Sequence, residues 1–229
     1  MAHPKQIHMP LDLPACLSRD SFVVAPCNAT ALAMLDQPDW PAGKLVLSGP
    51  EGAGKTHLLH IWARDRNAAF LHSGSALATA DIMALAERGA VAVDDADTVA
   101  ASAETQAALF HLHNLLSERQ GRLLLAARVP VRDWGLGLPD LASRLLATSH
   151  VALAAPDDTL LAAVLTKLFT DRQVRIPDTL IPFMLARMER SLASAQTLVA
   201  RLDAEALARK RPISRALAAD VMQSSSDPQ

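Results

Sequence analysis

Between residues 44 and 153, short apolar runs alternate with stretches that are apolar on one helical face only. The apolar runs predict strands at residues 44–48, 68–72, 90–93, 122–126 and 150–153. Apolar positions three and four residues apart predict helices near residues 55–66, 79–88, 104–118 and 138–146. Because such alternation is typical of a parallel sheet with helices on both faces, the predicted fold class is α/β.

After Pro156 the pattern becomes purely helical. Helices are predicted at residues 157–172, 179–187, 191–210 and 214–222, and Ser, Asp or Pro precedes most of their starts. The chain therefore divides into an N-terminal segment (1–20), an α/β domain (21–155), a small helical domain (156–223) and a polar tail (224–229), which we expect to be disordered.

The composition and net charge of the chain argue against several classes of function, nucleic-acid binding first among them. The 229 residues carry a formal net charge of −2 and include five Phe, three Trp and no Tyr. No overall basic field recruits nucleic acid, and few aromatic rings are available to stack on single-stranded bases. The spacing of Cys16 and Cys27 fits no metal or redox motif. With neither a signal peptide nor a run of about 18 apolar residues, the sequence predicts a cytoplasmic protein without a membrane span.

The strongest motif is GPEGAGKT at residues 49–56, which matches the P-loop pattern G-x-x-x-x-G-K-[ST]. Glycines let backbone N–H groups turn inward around a β-phosphate, Lys55 adds a cation and the Thr56 hydroxyl ligates Mg²⁺. The residues expected to contact the nucleotide are Pro50, Glu51, Gly52, Ala53, Gly54, Lys55, Thr56 and His57. The alternative is a Gly-rich surface turn, although a chance match has a probability on the order of one per cent.

A second motif is the apolar run 91–93 followed by Asp94 and Asp95. Downstream of a P-loop, Asp94 is expected to hold Mg²⁺ through water, and Asp95 to polarise the attacking water. The alternative is that both are turn or helix-cap residues. His57 and His60 lie one turn apart on the P-loop helix but have no third ligand, so they predict no metal site.

Three further stretches complete a resemblance to a known family. Residues 21–28 are similar to an adenine-side motif, with Val23, Val24 and Asn28 in its positions, and residues 187–192 are similar to a lid segment with Arg190 at its sensor-2 position. Residues 135–145 (GLGLPDLASRL) are similar to the segment that carries an arginine finger, here Arg144. With the P-loop, these stretches resemble the DnaA-type branch of the AAA+ ATPases, and most closely the Hda-type regulatory inactivators of DnaA.

The resemblance implies an AAA+ αβα domain followed by a helical lid, with ADP or ATP and Mg²⁺ as ligands. It implies a regulator of replication initiation that presents Arg144 to the ATP on the initiator DnaA. The N-terminal stretch 6–11 is similar to a peptide that docks on the DNA polymerase sliding clamp, through Gln6, Met9, Pro10 and Leu11. The initiators' helix-turn-helix domain has no counterpart in the sequence, so sequence-specific DNA binding is not expected, and homo-oligomers remain an option.

One departure from the family concerns hydrolysis. Where the sensor-1 strand of the family ends in polar residues, this chain has Leu125-Ala126-Ala127-Arg128. Alanine cannot position an attacking water, so weak or no ATPase activity is expected of the protein alone. Two rival functions stay open: a stand-alone or homo-oligomeric ATPase related to helicase loaders, and a non-catalytic adaptor that tethers DnaA to the clamp.

Overall fold

The computed structural model describes residues 17–223, which contain a five-stranded parallel sheet. Its strands are β1 Lys44–Ser48, β2 Ala69–Leu71, β3 Ala90–Val93, β4 Arg122–Ala127 and β5 Ser149–Ala152. Their spatial order is β2-β3-β4-β1-β5, and every neighbouring pair is parallel. β1 and β3 are buried along their whole length, which explains the apolar runs at residues 45–47 and 90–93. The predicted α/β class with a parallel sheet is confirmed.

Helices cover both faces of the sheet and form the whole region after it. They are α1 Pro26–Asp36, α2 Lys55–Arg66, α3 Ile82–Glu87, α4 Ala103–Glu118, α5 Pro139–Leu146, α6 Asp158–Asp171, α7 Leu180–Leu185, α8 Leu192–Arg209 and α9 Arg215–Gln223. α1 and α2 contribute to the core on one face of the sheet, and α3, α4 and α5 to the core on the other. Within residues 17–223 no helix is long and apolar enough to cross a membrane.

Two stretches differ from the sequence-based expectation. The sequence predicted no helix at α1. In the structure this helix begins at Pro26, and proline suits that position because the first N–H groups of a helix have no intrahelical acceptor, so no hydrogen bond is lost. The helix predicted near residues 79–88 is present but shorter, as α3 Ile82–Glu87. A 3-10 helix, Gly74–Ala78, comes first, and α3 starts only after Asp81, whose Oδ1 accepts a hydrogen bond from the Ala84 N–H at 3.0 Å.

The four helices α6–α9, which we call the lid, have a core of their own. Leu161, Leu165 and Phe169 of α6 pack there with residues of the other three helices. The observed bounds lie within two residues of the predicted ones, because capping side chains start two of these helices where the sequence places them. Asp157 Oδ1 accepts from the Leu160 N–H at 2.7 Å, and Ser191 Oγ from the Ser194 N–H at 3.0 Å.

His113 of α4 makes stability depend on pH. Its side chain is buried, and burial together with the nearby charges of Lys44 and Arg144 lowers its pKa from 6.5 to about 4. Because the folded state binds this proton less readily, stability is complete above the unfolded-state pKa and falls as pH drops from 6.5 toward 4. The variant His113→Leu lacks the titrating imidazole. As pH falls across this range, its unfolding free energy should decrease by up to about 3 kcal/mol less than that of the wild type, as measured by urea unfolding.

The matched control is the exposed His111 on the same helix. His111→Leu should leave the pH dependence of the unfolding free energy as in the wild type. Equal slopes in wild type and His113→Leu would contradict the assignment.

Candidate nucleotide-binding site

The carboxyl ends of three neighbouring strands bring the predicted motifs together. β1 lies beside β4, and β4 beside β3, so the residues that follow them meet at one edge of the sheet. Gly49 and the rest of the P-loop follow β1, Asp94 and Asp95 follow β3, and Arg128 follows β4. The structure therefore assembles the P-loop and the two carboxylates into one cluster, as their order along the chain suggested.

The P-loop is held against the lid at Gly52. The Gly52 carbonyl accepts a hydrogen bond from the N–H of Leu192 at 3.2 Å, so the start of α8 rests on the loop. Gly52 has a φ of +73°, and a Cβ added there would lie 2.4 Å from the Cβ of Ser191. Gly54, at φ +94°, ends the loop and leads into α2 at Lys55. Glycine is required at Gly52 both for its backbone conformation and for the close approach of the lid.

Gly52→Ala should therefore displace the lid and destabilise the fold by about 1–3 kcal/mol. Gly135→Ala is the matched control, because Gly135 has a similar φ of +72° with nothing within 4 Å of an added Cβ. The difference between their unfolding free energies isolates the contact with Ser191. Equal losses in the two variants would mean that backbone strain alone accounts for the effect.

Lys55 folds back onto the loop that precedes it. Its Nζ donates to the carbonyls of Gly49 at 2.7 Å and Pro50 at 2.9 Å, and only 7% of the residue is exposed. Burial lowers the pKa of Lys55, while the carboxylates of Asp94 and Asp95 counteract that shift. The amine of Lys55 therefore lies inside the loop, and the carboxylates of Asp94 and Asp95 favour its charged form.

Thr56 and Asp94 form a compact set of oxygen atoms. Thr56 Oγ1 donates to Asp94 Oδ2 at 2.6 Å, and Asp94 Oδ1 accepts from the N–H of Asp95 at 3.0 Å. Asp94 is buried, with 8% of the residue exposed. Hydroxyl and carboxylate oxygens are the ligands that Mg²⁺ prefers, so this pair suits the metal role predicted for it.

Arg128 links the P-loop to the acidic pair, a role that the sequence analysis did not assign. Its Nη1 lies 3.2 Å from Glu51 Oε2, and its Nε 3.5 Å from Asp95 Oδ1. The charges of Asp95 and Glu51 raise the pKa of Arg128. The sequence showed this arginine only within the departure at residues 125–128. A cation directly after the strand next to β1 was the signal that could have identified it.

Asp95 itself adopts a left-handed backbone conformation, with φ +39° and ψ +47°. Its carbonyl accepts hydrogen bonds from the N–H groups of Gly74 at 3.2 Å and Thr98 at 3.1 Å, and from Thr98 Oγ1 at 2.6 Å. Such a conformation is rare for residues other than glycine and concentrates at functional sites. These hydrogen bonds hold the backbone of Asp95 in this conformation and therefore fix the direction in which its carboxylate side chain leaves the backbone.

The predicted adenine-side residues lie at the start of α1. Asn28, 3% exposed, donates from Nδ2 to the carbonyl of Val23 at 2.9 Å and accepts the N–H of Ala25 at 2.9 Å. Asn28 thus fixes the backbone of this motif, whereas Val24 is exposed.

His57 ties α2 to the segment before the adenine-side motif. Its Nε2 lies 3.0 Å from the carbonyl of Ser18 and 3.2 Å from Ser21 Oγ, and burial lowers its pKa. Within residues 17–223, no group of three His, Cys, Asp or Glu side chains could hold a metal ion.

The two predicted arginines occupy different places. Arg190 precedes the residue that touches Gly52, and its Nη2 lies 3.2 Å from Asp158. Arg144 on α5 is exposed, its Cζ is 5.0 Å from the ring centroid of Phe110, and no ion pair joins it to a described carboxylate. Among the described residues, no hydrogen bond or ion pair connects Arg144 to the P-loop cluster. Gln6, Met9, Pro10 and Leu11 lie outside the described residues.

Comparisons with known proteins give the fold its name. No protein-family model matches the chain. The chromosomal replication initiator DnaA of Thermomicrobium roseum is 26% identical over 89% of this chain, which spans about half (48%) of that protein's length. The crystal structure of domain III of Thermotoga maritima DnaA superposes with a TM-score of 0.77 at 16% identity, covering 93% of this chain and 98% of that one. The chain has the AAA+ fold of DnaA domain III.

A second DnaA-type structure concerns the ligand. AMPPCP-bound DnaA from Aquifex aeolicus superposes with a TM-score of 0.67 at 19% identity, covering 82% of this chain and 66% of that one. AMPPCP is an adenine nucleotide, so a DnaA-type AAA+ fold binds this class of ligand in that protein. At such identities the likeness establishes the fold of the present chain, and its ligand has to be argued from its own residues.

Proposed function

We propose that this protein regulates replication initiation by stimulating hydrolysis of the ATP bound to DnaA, as Hda-type inactivators do. The observation that carries the proposal is the position of Arg144. It is an exposed arginine without a carboxylate partner among the described residues, outside a P-loop cluster that already has its own cation in Lys55. An arginine placed in this way is available to the nucleotide of another protein.

The nucleotide of the protein itself would bind along the P-loop. Backbone N–H groups of the loop and Lys55 would hold the phosphates of ADP or ATP, and Thr56 with Asp94 would hold Mg²⁺. The metal, when bound, neutralises charge on the phosphate oxygens. Val23 and Val24 would contact the adenine, on a backbone fixed by Asn28, and Arg190 would approach the phosphates from the lid. The hydrogen bond between Leu192 and Gly52 supports this lid contact.

Arg144 would act as an arginine finger in trans. Its stacking on Phe110 orients the guanidinium and leaves the N–H edge available for phosphate oxygens. Leu146, two residues further on, is 60% exposed, and an exposed apolar side chain beside the finger fits a surface that a partner covers. Fingers supplied in trans accelerate hydrolysis by roughly 10³–10⁵-fold.

The sliding clamp is the second proposed partner. Support comes from the sequence of residues 6–11, in which Met9, Pro10 and Leu11 would fill apolar pockets of the clamp while Gln6 hydrogen-bonds to its backbone. Docking there would hold the protein on DNA near DnaA. The raised local concentration would then favour contact between the two AAA+ domains.

A second candidate, a stand-alone ATPase, is favoured by the acidic pair. Thr56, Asp94 and Asp95 are assembled beside the P-loop, as hydrolysis in cis would need. Against it, β4 ends in Ala126 and Ala127, both buried and without a side-chain hydrogen-bonding group. Steady-state ATP turnover by the isolated protein separates the two candidates: a rate well above about one per minute favours the ATPase.

The regulatory proposal is tested by following labelled ATP preloaded on DnaA. Hydrolysis should accelerate only when the protein and DNA-loaded clamp are both present. Gln6→Ala combined with Leu11→Ala should abolish clamp pull-down and this stimulation, while thermal stability and ADP binding stay unchanged. Stimulation that does not need the clamp would remove the clamp from the proposal, and no stimulation at all would refute it.

A further inference from the structure

Besides Arg175, four exposed cations of the lid have no carboxylate partner among the described residues, although the chain as a whole is slightly acidic. They are Arg187, Lys210, Arg211 and Arg215, which we call the lid basic surface. Elsewhere in residues 17–223 many arginines are neutralised by ion pairs, and no ion pair within 4.0 Å is made by these four among the described residues. The nearby carboxylates of Glu205 and Asp220 are both engaged by Arg209, at 2.8 and 3.2 Å.

Phe183 holds two of these cations side by side. The Cζ of Arg187 lies 4.1 Å, and that of Arg215 4.9 Å, from the centroid of the Phe183 ring. Both guanidinium groups are therefore within about one Debye length of each other at 0.1 M salt, where like charges repel. Arg187 uses one N–H on the Phe183 carbonyl at 3.3 Å, which leaves its other donors free. An anion that contacts both arginines would relieve the repulsion.

The loop between α8 and α9 places the other two cations nearby. Ile213 is buried in the core of the lid, and Ser214 Oγ accepts the N–H of Leu217 at 3.3 Å, so the end of the short loop next to α9 is anchored. Lys210 and Arg211, together with Pro212, are exposed on it. Arg211 is only four residues from Arg215, which limits the separation of their Cα atoms to about 14 Å.

We propose that the lid basic surface binds the phosphate backbone of duplex DNA without reading its sequence. Three of the four cations are arginines, whose planar guanidinium groups match phosphate oxygens with two parallel hydrogen bonds. Because Arg187 and Arg215 already stack on Phe183, that ring is engaged by guanidinium groups rather than presented to unpaired bases, and contacts would go to the backbone. The clustering follows from the tertiary structure, which is why net charge did not reveal it.

The alternative partner of the lid basic surface is an acidic protein, and one exposed apolar side chain would be able to contact such a partner. Leu207, one turn before Lys210 and Arg211, is 64% exposed. Protein interfaces gain most of their affinity from a buried cluster of aromatic and apolar anchors, whereas only this one large apolar residue is strongly exposed on the described part of the lid. DNA is therefore the partner that the surface favours, and Leu207 distinguishes the two in the test.

The test is fluorescence anisotropy of a labelled duplex of about 20 base pairs with the full chain at 50–200 mM salt. Wild type should bind with an affinity that falls steeply with salt. Lys210→Gln with Arg211→Gln should weaken binding at least about tenfold at low salt and reduce the slope of log K against log salt by about 2. Leu207→Ser should leave binding unchanged.

The matched control is Arg64→Gln with Arg66→Gln on α2, which removes the same charge elsewhere on the surface. An equal loss in this control would show that only total charge matters and would overturn the proposal. So would a lack of duplex binding by wild type at 50 mM salt, equal binding of a polyglutamate peptide, or a loss caused by Leu207→Ser alone. Unchanged thermal stability and ADP affinity of each variant establish that the fold is intact.

Discussion

Replacing Arg144 with Ala should reduce the stimulated hydrolysis of DnaA-bound ATP by about 10³-fold or more, with little effect on folding. The guanidinium is exposed and lies 5.0 Å from the ring centroid of Phe110, so its removal should change the unfolding free energy by about half a kcal/mol or less. Its proposed task, stabilising charge that develops on the transferred phosphoryl group, has no substitute among the neighbouring side chains. The measurement is single-turnover hydrolysis of labelled ATP preloaded on DnaA, with clamp on DNA.

Two further variants make this result specific. Arg144→Lys should fail nearly as badly as Ala, because an ammonium cannot reproduce the planar contact with two phosphate oxygens. Arg132→Ala removes another exposed arginine, which is paired with its neighbour Asp133, and should leave the rate unchanged. If the rate with Arg144→Ala equals the wild-type rate, the protein acts as an adaptor without a catalytic arginine, and the proposal of an active site shared with DnaA is wrong.

Replacing Lys55 with Ala should lower the affinity for ADP by an order of magnitude or more, about 1.4 kcal/mol per decade. Lys55 is the cation inside the P-loop, where its amine already sits within 3 Å of the loop carbonyls of Gly49 and Pro50. Losing it removes both the charge opposite the phosphates and two hydrogen bonds that hold the loop. Calorimetric titration with ADP measures the effect.

Lys55→Met serves as the second variant, because it keeps the buried aliphatic chain and removes only the cation. Both variants should bind clamp normally and remain folded. Arg64→Ala, an exposed change on the same helix, should bind ADP as the wild type does. Equal ADP affinity in wild type and Lys55→Met would refute the assignment of residues 49–56 as a nucleotide site.

Local patterns predicted most of the secondary structure because each depends on neighbours in sequence. The bounds of β1, β3 and α2 agree with the predicted ones, since apolar runs and helical spacing are read directly from the chain. The helix α1 was missed because its start depends on Asn28 closing a cap onto the backbone of Ala25. The division at Asp81 likewise depends on one capping hydrogen bond, which no hydrophobic pattern records.

The site shows the same division between local and long-range information. The P-loop spacing identified Lys55 and Thr56, and the strand before Asp94 suggested a partner for them; the 2.6 Å hydrogen bond from Thr56 to Asp94 is consistent with that pairing. Arg128 lies in the stretch 125–128 that departs from the family, and the sequence predicted no role for it. Its contacts with Glu51 and Asp95 exist because β4 lies between β1 and β3, an order of strands that the sequence does not state.

By itself the sequence determined the α/β class, the helical lid and the P-loop, because periodicity and glycine spacing are properties of neighbouring residues. Only the tertiary structure decided that Ser191 rests on Gly52, and that Arg187 and Arg215 share the ring of Phe183. The contacts of Ser191 with Gly52 and of Arg215 with Phe183 join residues far apart in the chain. They depend on how the sheet and the lid pack, a balance of buried area and close approach that acts only in the folded state.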